Sequence, residues 1–212
     1  MIKKWYIQSY NDFISEGIHD PNIFKAVFLA GGTGSGKSYV VKNLFGFDDI
    51  MKSTSITGLK LINTDTAFNN FIVKAGYSPK DLAKSDESFK LMTIGKESPR
   101  EKAKKLTKKF GSLYNENKLG VIIDGTGKDY NKIKRNKKHL EQLGYDCLMI
   151  FVNTSLETAK QRNINRGEHS DRVLPDELLT TSWHDVQSNI GKFQTLFKNN
   201  FLIIDNNEIG DF

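Results

Sequence analysis

Gly31-Gly32-Thr33-Gly34-Ser35-Gly36-Lys37-Ser38 decides the fold. The run fits G-x-x-x-x-G-K-[S/T], with Gly31, Gly36, Lys37 and Ser38 at the fixed positions. Ahead of it stands Ala26-Val27-Phe28-Leu29-Ala30, a short apolar run of the kind that makes a buried parallel strand. Behind it, Val40, Val41, Leu44 and Phe45 fall at helical spacing. Strand, glycine loop and helix form the setting in which this pattern binds phosphate. The alternative is a glycine-rich turn that happens to match, and the flanking strand and helix argue against it.

The residue types follow from the chemistry. A phosphate chain must come within hydrogen-bond distance of several backbone N–H groups. A Cβ on the loop would block that approach, so glycines fill it. The next helix offers its positive end to the anion. Lys37 adds a mobile cation, and the Ser38 hydroxyl can ligand Mg²⁺. The expected nucleotide contacts are therefore Gly31, Gly32, Thr33, Gly34, Ser35, Gly36, Lys37, Ser38 and Tyr39.

Outward from the loop, 212 residues allow one domain with a real core and a small inserted lobe. The single cysteine, Cys147, excludes an internal disulfide and reads as an inert core thiol within an apolar run. No segment is long and apolar enough to cross a membrane, and the start, MIKKWYIQSYNDF, lacks a signal-peptide apolar core. A cytoplasmic protein is expected. The net charge of +6 is unevenly spread: Lys96 to Lys138 carry fourteen Lys or Arg against five Asp or Glu. Such a patch suits a polyanionic partner, with solvated helix faces as the plainer reading.

Residues 1–25 read as an N-terminal helical extension, with Tyr10 to Ile18 packing outside the sheet. Leu59 to Asn63 is the second strand, followed by Thr64-Asp65-Thr66. Ligands of such sheets bind beyond the carboxyl ends of the strands, which puts Asp65 in the crevice of the phosphate loop. The alternative is that Asp65 caps a helix starting near Ala67. Residues 67–97 read as a helical acceptor-binding lobe. Ser98-Pro99-Arg100-Glu101 is a capping box, opening a helix to about Glu116 that should bury Ala103, Leu106, Phe110, Leu113 and Tyr114. Gly120 to Asp124 is the third strand, and Asp124 at its end is placed to hold Mg²⁺ through water. A basic helix, about Asp129 to Leu143, stops at Gly144.

Cys147 to Val152 is the fourth strand, and Thr154-Ser155-Leu156-Glu157 opens a capped helix. Arg162 and Arg166 share a face of it at i and i+4 and lead into a polar segment closed by Pro175. Residues 162–175 thus read as a phosphate-closing lid, or as a solvated helix end. Trp183, Val186, Ile190, Phe193 and Phe197 form a core stripe, and Phe201 to Asp205 a fifth strand. The expected fold is a single three-layer α/β domain with a five-stranded, mostly parallel sheet.

The chain resembles the P-loop kinase group that includes polynucleotide 5′-hydroxyl kinases and zeta-toxin kinases, from about Val27 to Leu179. GGTGSGKS, the Asp of INTD, VIIDGTGKDYNKIKR, and QRNINRG followed by VLPDELL carry the resemblance. It implies the P-loop NTPase/kinase fold, ATP and Mg²⁺ as cofactors, and transfer of the γ-phosphoryl group to a hydroxyl. It also implies Asp65 as the general base on that hydroxyl and Arg162 and Arg166 as the lid arginines. Polynucleotide kinases carry an Arg one turn beyond the base that grips the acceptor's 3′ phosphate; Thr66-Ala67-Phe68-Asn69 offers none. Other acceptors of the group therefore stay open: hydroxymethylated bases in DNA, as for phage kinases, and nucleotide sugars, as for zeta toxins. A nucleic acid is the favoured acceptor. The rival from another class is a nucleotide switch or nucleic-acid-binding NTPase with no acceptor site, which would need no Asp65.

Overall fold

The computed structural model describes residues 23–47, 54–78, 85–168 and 173–207. Most of the expected N-terminal extension, residues 79–84 of the acceptor lobe and residues 169–172 of the lid lie outside the described residues.

The chain runs β1 (Lys25–Ala30), α1 (Lys37–Phe45), β2 (Lys60–Ile62), α2 (Thr64–Lys74), α3 (Asp86–Thr93), α4 (Pro99–Glu116) and β3 (Val121–Asp124). It continues through α5 (Tyr130–Gln142), β4 (Asp146–Asn153), α6 (Leu156–Glu168), α7 (Asp176–Gln187), α8 (Ile190–Phe197) and β5 (Phe201–Asp205). The sheet order is β2-β3-β1-β4-β5, and every pairing is parallel. The apolar runs in β1 and β4 are continuous because both strands are covered on both faces.

Alternate side chains point to opposite faces of a strand, so each strand feeds two cores. Val27, Leu29, Ile122, Ile150 and Val152 meet Val40, Val41 and Phe45 of α1 on one side. Ala26, Phe28, Met149 and Phe151 meet Leu140 of α5 and Phe193 and Phe197 of α8 on the other. These are the three layers. Phe68, Ile72, Met92 and Ala103 make a separate small core that joins α2, α3 and α4 into the lobe beside the site. Cys147 is buried, and burial pushes its thiol up to about 12.

Three expectations are corrected. First, α4 does begin at Pro99 under a Ser98 cap, but it buries only Ala103. Phe110 and Leu113 stay 43% and 41% exposed. The helix packs mainly along α2 and only in part on the edge strand β2, where a Cβ on Gly111 would sit 3.6 Å from Ile62. Second, the stripe from Trp183 to Phe197 belongs to two helices, broken at Ser188-Asn189. The break leaves buried Asn189 free to donate to the carbonyls of Gly127 and Lys128, both at 3.0 Å, on the loop after β3. Third, α2 starts at Thr64, before Ala67, and its cap is Asn63. Asp65 lies in the first helical turn and does not cap it.

Candidate active site

The phosphate loop sits at the carboxyl end of β1 and leads directly into α1. Gly34 and Gly36 hold left-handed backbone, at φ +80° and +83°. Packing adds to that demand. A Cβ on Gly34 would come within 2.6 Å of the Ala159 carbonyl oxygen on α6, and one on Gly36 within 2.2 Å of the Asn206 amide. The turn is therefore wedged between α6 and the residues after β5. The Gly31 N–H donates to the Thr126 carbonyl at 3.0 Å, which ties the loop to the segment after β3.

Lys37 folds back over this loop, donating to the carbonyl oxygens of Gly31 at 2.6 Å and Gly32 at 3.0 Å. Burial lowers its pKa, and the Arg166 charge lowers it further, against the pull of Asp124 and Asp65. Burial raises the pKa of Asp124, with Lys37 and the Gly125 backbone N–H opposing and Asp65 adding repulsion. Lys37 thus feels all three charges, and Asp124 feels Lys37 and Asp65. Asp124 accepts from the Asn63 amide at 2.9 Å through Oδ2, while its buried Oδ1 has no hydrogen-bond partner among the described residues. Ser38 and Tyr39 are exposed at the start of α1, and Ser35 is fully buried in the loop.

The two arginines differ. Arg162 is buried and donates from Nη1 to the Gly34 carbonyl at 3.2 Å, bracing the loop from α6. Burial, and then the neighbouring Arg166, lower its pKa. Arg166 is half-buried, one turn further on, and its charge acts on both Lys37 and Arg162. Asp65 is paired with Arg100 at 3.1 Å, and the Arg100 guanidinium stands 5.0 Å over the Phe68 ring. Arg100 enters from the first turn of α4, which the sequence reading took only as part of a capping box.

Sequence reasoning also missed Asn63, Asn206 and Trp183. Asn206 donates to the Ser35 carbonyl at 2.8 Å from just beyond β5. Its position at a strand's carboxyl end was the one available signal. Trp183, expected in the core stripe, is half-buried: its indole donates to the Thr154 carbonyl at 2.9 Å and its ring flanks Gly32.

Residues 27–184 match a family described as an AAA domain, AAA_33. The chain belongs to this family. Among solved structures, this AAA domain protein is similar to a chain of the PezAT chromosomal toxin-antitoxin system of Streptococcus pneumoniae. The identity is 15% and the TM-score 0.60, over 96% of this chain and 77% of that one. It is similar to a chain of the Pnkp1/Rnl/Hen1 RNA repair complex at 18% identity and TM-score 0.55, over 84% of this chain and 48% of that one. It is also similar to a chain of the AvrRxo1-ORF1:-ORF2 complex with ATP, at 15% identity and TM-score 0.52, over 97% of this chain and 62% of that one. The AAA domain protein thus spans under two thirds of the last two. No curated protein matches it by sequence. At these identities the likeness is one of fold, and that fold is the P-loop NTPase/kinase fold. Among the described residues no helix is long and apolar enough to cross a membrane.

Proposed function

We propose that the chain transfers the γ-phosphoryl group of ATP to a hydroxyl, with a nucleic acid (a 5′-OH end or a hydroxymethylated base) or a nucleotide as the favoured acceptor. The observation that carries this reading is that Lys37, in the phosphate loop at the carboxyl end of β1, lies within electrostatic reach of Asp124 at the end of β3, of Asp65 just beyond β2, and of Arg166 on α6. A nucleotide switch has no use for the second carboxylate, which stands on the lobe side.

In this reading the loop N–H groups hold the phosphates. Lys37 exchanges the Gly31 and Gly32 carbonyls for phosphate oxygens, and Arg166 faces the charge on the transferring group. Asp65 orients the acceptor hydroxyl in line and takes its proton as the new O–P bond forms. The bond from the γ-phosphorus to its bridging oxygen breaks, and ADP leaves. Arg162 acts through the loop, by fixing Gly34. Mg²⁺ fits this donor set: Ser38 offers an exposed hydroxyl, and Asp124 a buried oxygen with no donor of its own among the described residues. No group of three or more His, Cys, Asp or Glu side chains that could hold a metal occurs among the described residues. The ion would therefore rely on nucleotide oxygens and water, as Mg²⁺ commonly does. It would supply neutralisation of phosphate charge.

A nucleic-acid acceptor is favoured by charge placement. Helices α4 and α5 pack on the same face of the sheet, through Tyr114 and through Tyr130, Ile133 and Leu140. They expose Lys108, Lys109, Lys134, Arg135 and Lys138. The likeness to a chain of an RNA repair complex points the same way.

The test is labelled-ATP transfer to 5′-OH DNA and RNA, hydroxymethylated DNA, nucleosides and nucleotide sugars, with Asp65→Asn alongside. Label on oligonucleotides, lost in Asp65→Asn, is the expected result. Oligonucleotide binding should also weaken with salt, at a log–log slope of about −0.7 to −0.9 per phosphate contact. Label on a nucleotide sugar alone would replace the nucleic-acid acceptor by a small one. Full ATP hydrolysis without acceptor, untouched by Asp65→Asn, would replace the kinase by a nucleotide hydrolase.

A further inference from the structure

We propose that Asn63 is a positioning residue that fixes the Asp124 carboxylate from the start of the Asp65 helix, so that the nucleotide side and the acceptor side of the site are set by one side chain. The inference rests on the phosphotransfer reading for its purpose and on geometry for its content. Strands β2 and β3 are paired in register, with Ile62 opposite Ile123. Asn63 and Asp124 are the next residues along, so they emerge side by side at the carboxyl edge of the sheet. The two ends of the Asn63 amide then do different work. Its Oδ1 accepts from the Asp65 N–H at 2.6 Å, capping α2. Its Nδ2 donates to Asp124 Oδ2 at 2.9 Å, across 61 residues of sequence.

This division of labour explains the choice of residue. An aspartate could cap the helix equally well but would bring a second negative charge and no donor. A serine could cap it but would not reach Asp124. Only a short amide carries an acceptor and a donor at the two ends of one rigid group. With Oδ2 engaged, rotation of the Asp124 carboxylate is restricted, and the oxygen left over is the buried Oδ1 that has no partner among the described residues. A buried carboxylate oxygen without a donor is unfavourable unless something arrives to use it. Asn63 thus presents a pre-oriented oxygen to the cation, and the same residue holds the turn that displays Asp65.

The test separates the tether from the cap. Asn63→Ser and Asn63→Thr both keep a capping acceptor, and both are too short to reach Asp124. In the full chain, Mn²⁺ binding is titrated in saturating AMP-PNP by electron paramagnetic resonance, and thermal unfolding is followed without ligand. The expected result is a Mn²⁺ midpoint raised about 10- to 100-fold, the usual effect of losing a group that orients a metal ligand, with melting lowered by no more than the loss of one buried hydrogen bond gives. The double variant Asn63→Ser/Asp124→Asn should bind Mn²⁺ no more weakly than Asp124→Asn alone, since both act through one carboxylate. An unchanged midpoint in both Asn63 variants, or effects that add to that of Asp124→Asn, would overturn the tether. So would a fall in melting temperature with no change in the midpoint, which makes Asn63 a helix cap alone. The titration needs no acceptor, so it decides the tether even where the labelling screen finds no transfer and the kinase reading fails.

Discussion

Gly34→Ala offers the most direct check on how the phosphate loop is held. Two costs combine. Position 34 sits at φ +80°, where a residue with a Cβ is disfavoured by about 1–2 kcal/mol. The new methyl would also lie 2.6 Å from the Ala159 carbonyl oxygen and 2.9 Å from its Cα. Both are backbone atoms of α6, so no side chain can swing aside. Overpacking of this kind costs about 1–3 kcal/mol. The sum, about 2–5 kcal/mol, should lower the melting temperature by about 4–20 °C in a chain of this length. Gly76→Ala is the internal control. Its φ is +83°, and an added Cβ there meets nothing within 4 Å. It should incur only the conformational cost, about 1–2 kcal/mol. Circular dichroism melts of the three proteins without nucleotide give the comparison, and AMP-PNP titrations give the affinity. Any shift of α6 also moves Arg162 off the Gly34 carbonyl, so AMP-PNP affinity should fall in Gly34→Ala and stay unchanged in Gly76→Ala. Equal melting shifts in the two variants, or unimpaired AMP-PNP binding by Gly34→Ala, would refute the claim that the loop is wedged against α6.

The other predictions concern the charges in the crevice. Lys37→Ala should nearly abolish turnover and weaken AMP-PNP binding while the fold persists, as circular dichroism would show; equal transfer rates would remove the phosphate-loop assignment. Arg166→Ala should lower kcat by about 10²–10³ with little change in KM for ATP; an effect confined to KM would make it a ground-state binding residue. Nucleotide binding should take up a proton at alkaline pH. The Lys37 pKa lies below its ordinary 10.5 in the ligand-free chain, and phosphate oxygens restore the ammonium, so affinity falls as pH rises through that window. Calorimetry in buffers of different ionisation enthalpy reads the uptake, and its absence would mean that Lys37 does not meet the phosphates. The Mg²⁺-dependent part runs the other way. The Asp124 pKa is raised above 3.8, and the cation needs the carboxylate ionised, so proton release and weakening are expected as pH falls through that window.

Much of the local structure could be read from short stretches of the chain. The phosphate loop is legible because all of its chemistry lies within eight consecutive residues whose backbone must meet an anion. The cap at Ser98 and the strand ending in Asp124 are legible for the same reason, since cap and strand signals act over a few residues. Periodicity misled where it is blind to what lies opposite. The apolar stripe of α4 predicts burial along its length, but α2 and the edge strand β2 cover only part of it, and Phe110 and Leu113 stay exposed. The stripe from Trp183 onward keeps its spacing across a break because only two residues separate α7 from α8.

Short stretches of the chain thus carry a parallel α/β domain, a phosphate loop, and carboxylates at the end of β3 and just beyond β2. Only the tertiary structure decided what those groups touch. Arg162 braces Gly34 across 128 residues, Asn206 holds the Ser35 carbonyl across 171, and Arg100 meets Asp65 across 35. The Asn63 bridge to Asp124 exists because β2 pairs with β3 in one register, and a slip of one residue would turn the side chain to the other face. Such contacts are set by strand order, register and helix packing, which are properties of the whole folded chain and leave no pattern in neighbouring residues.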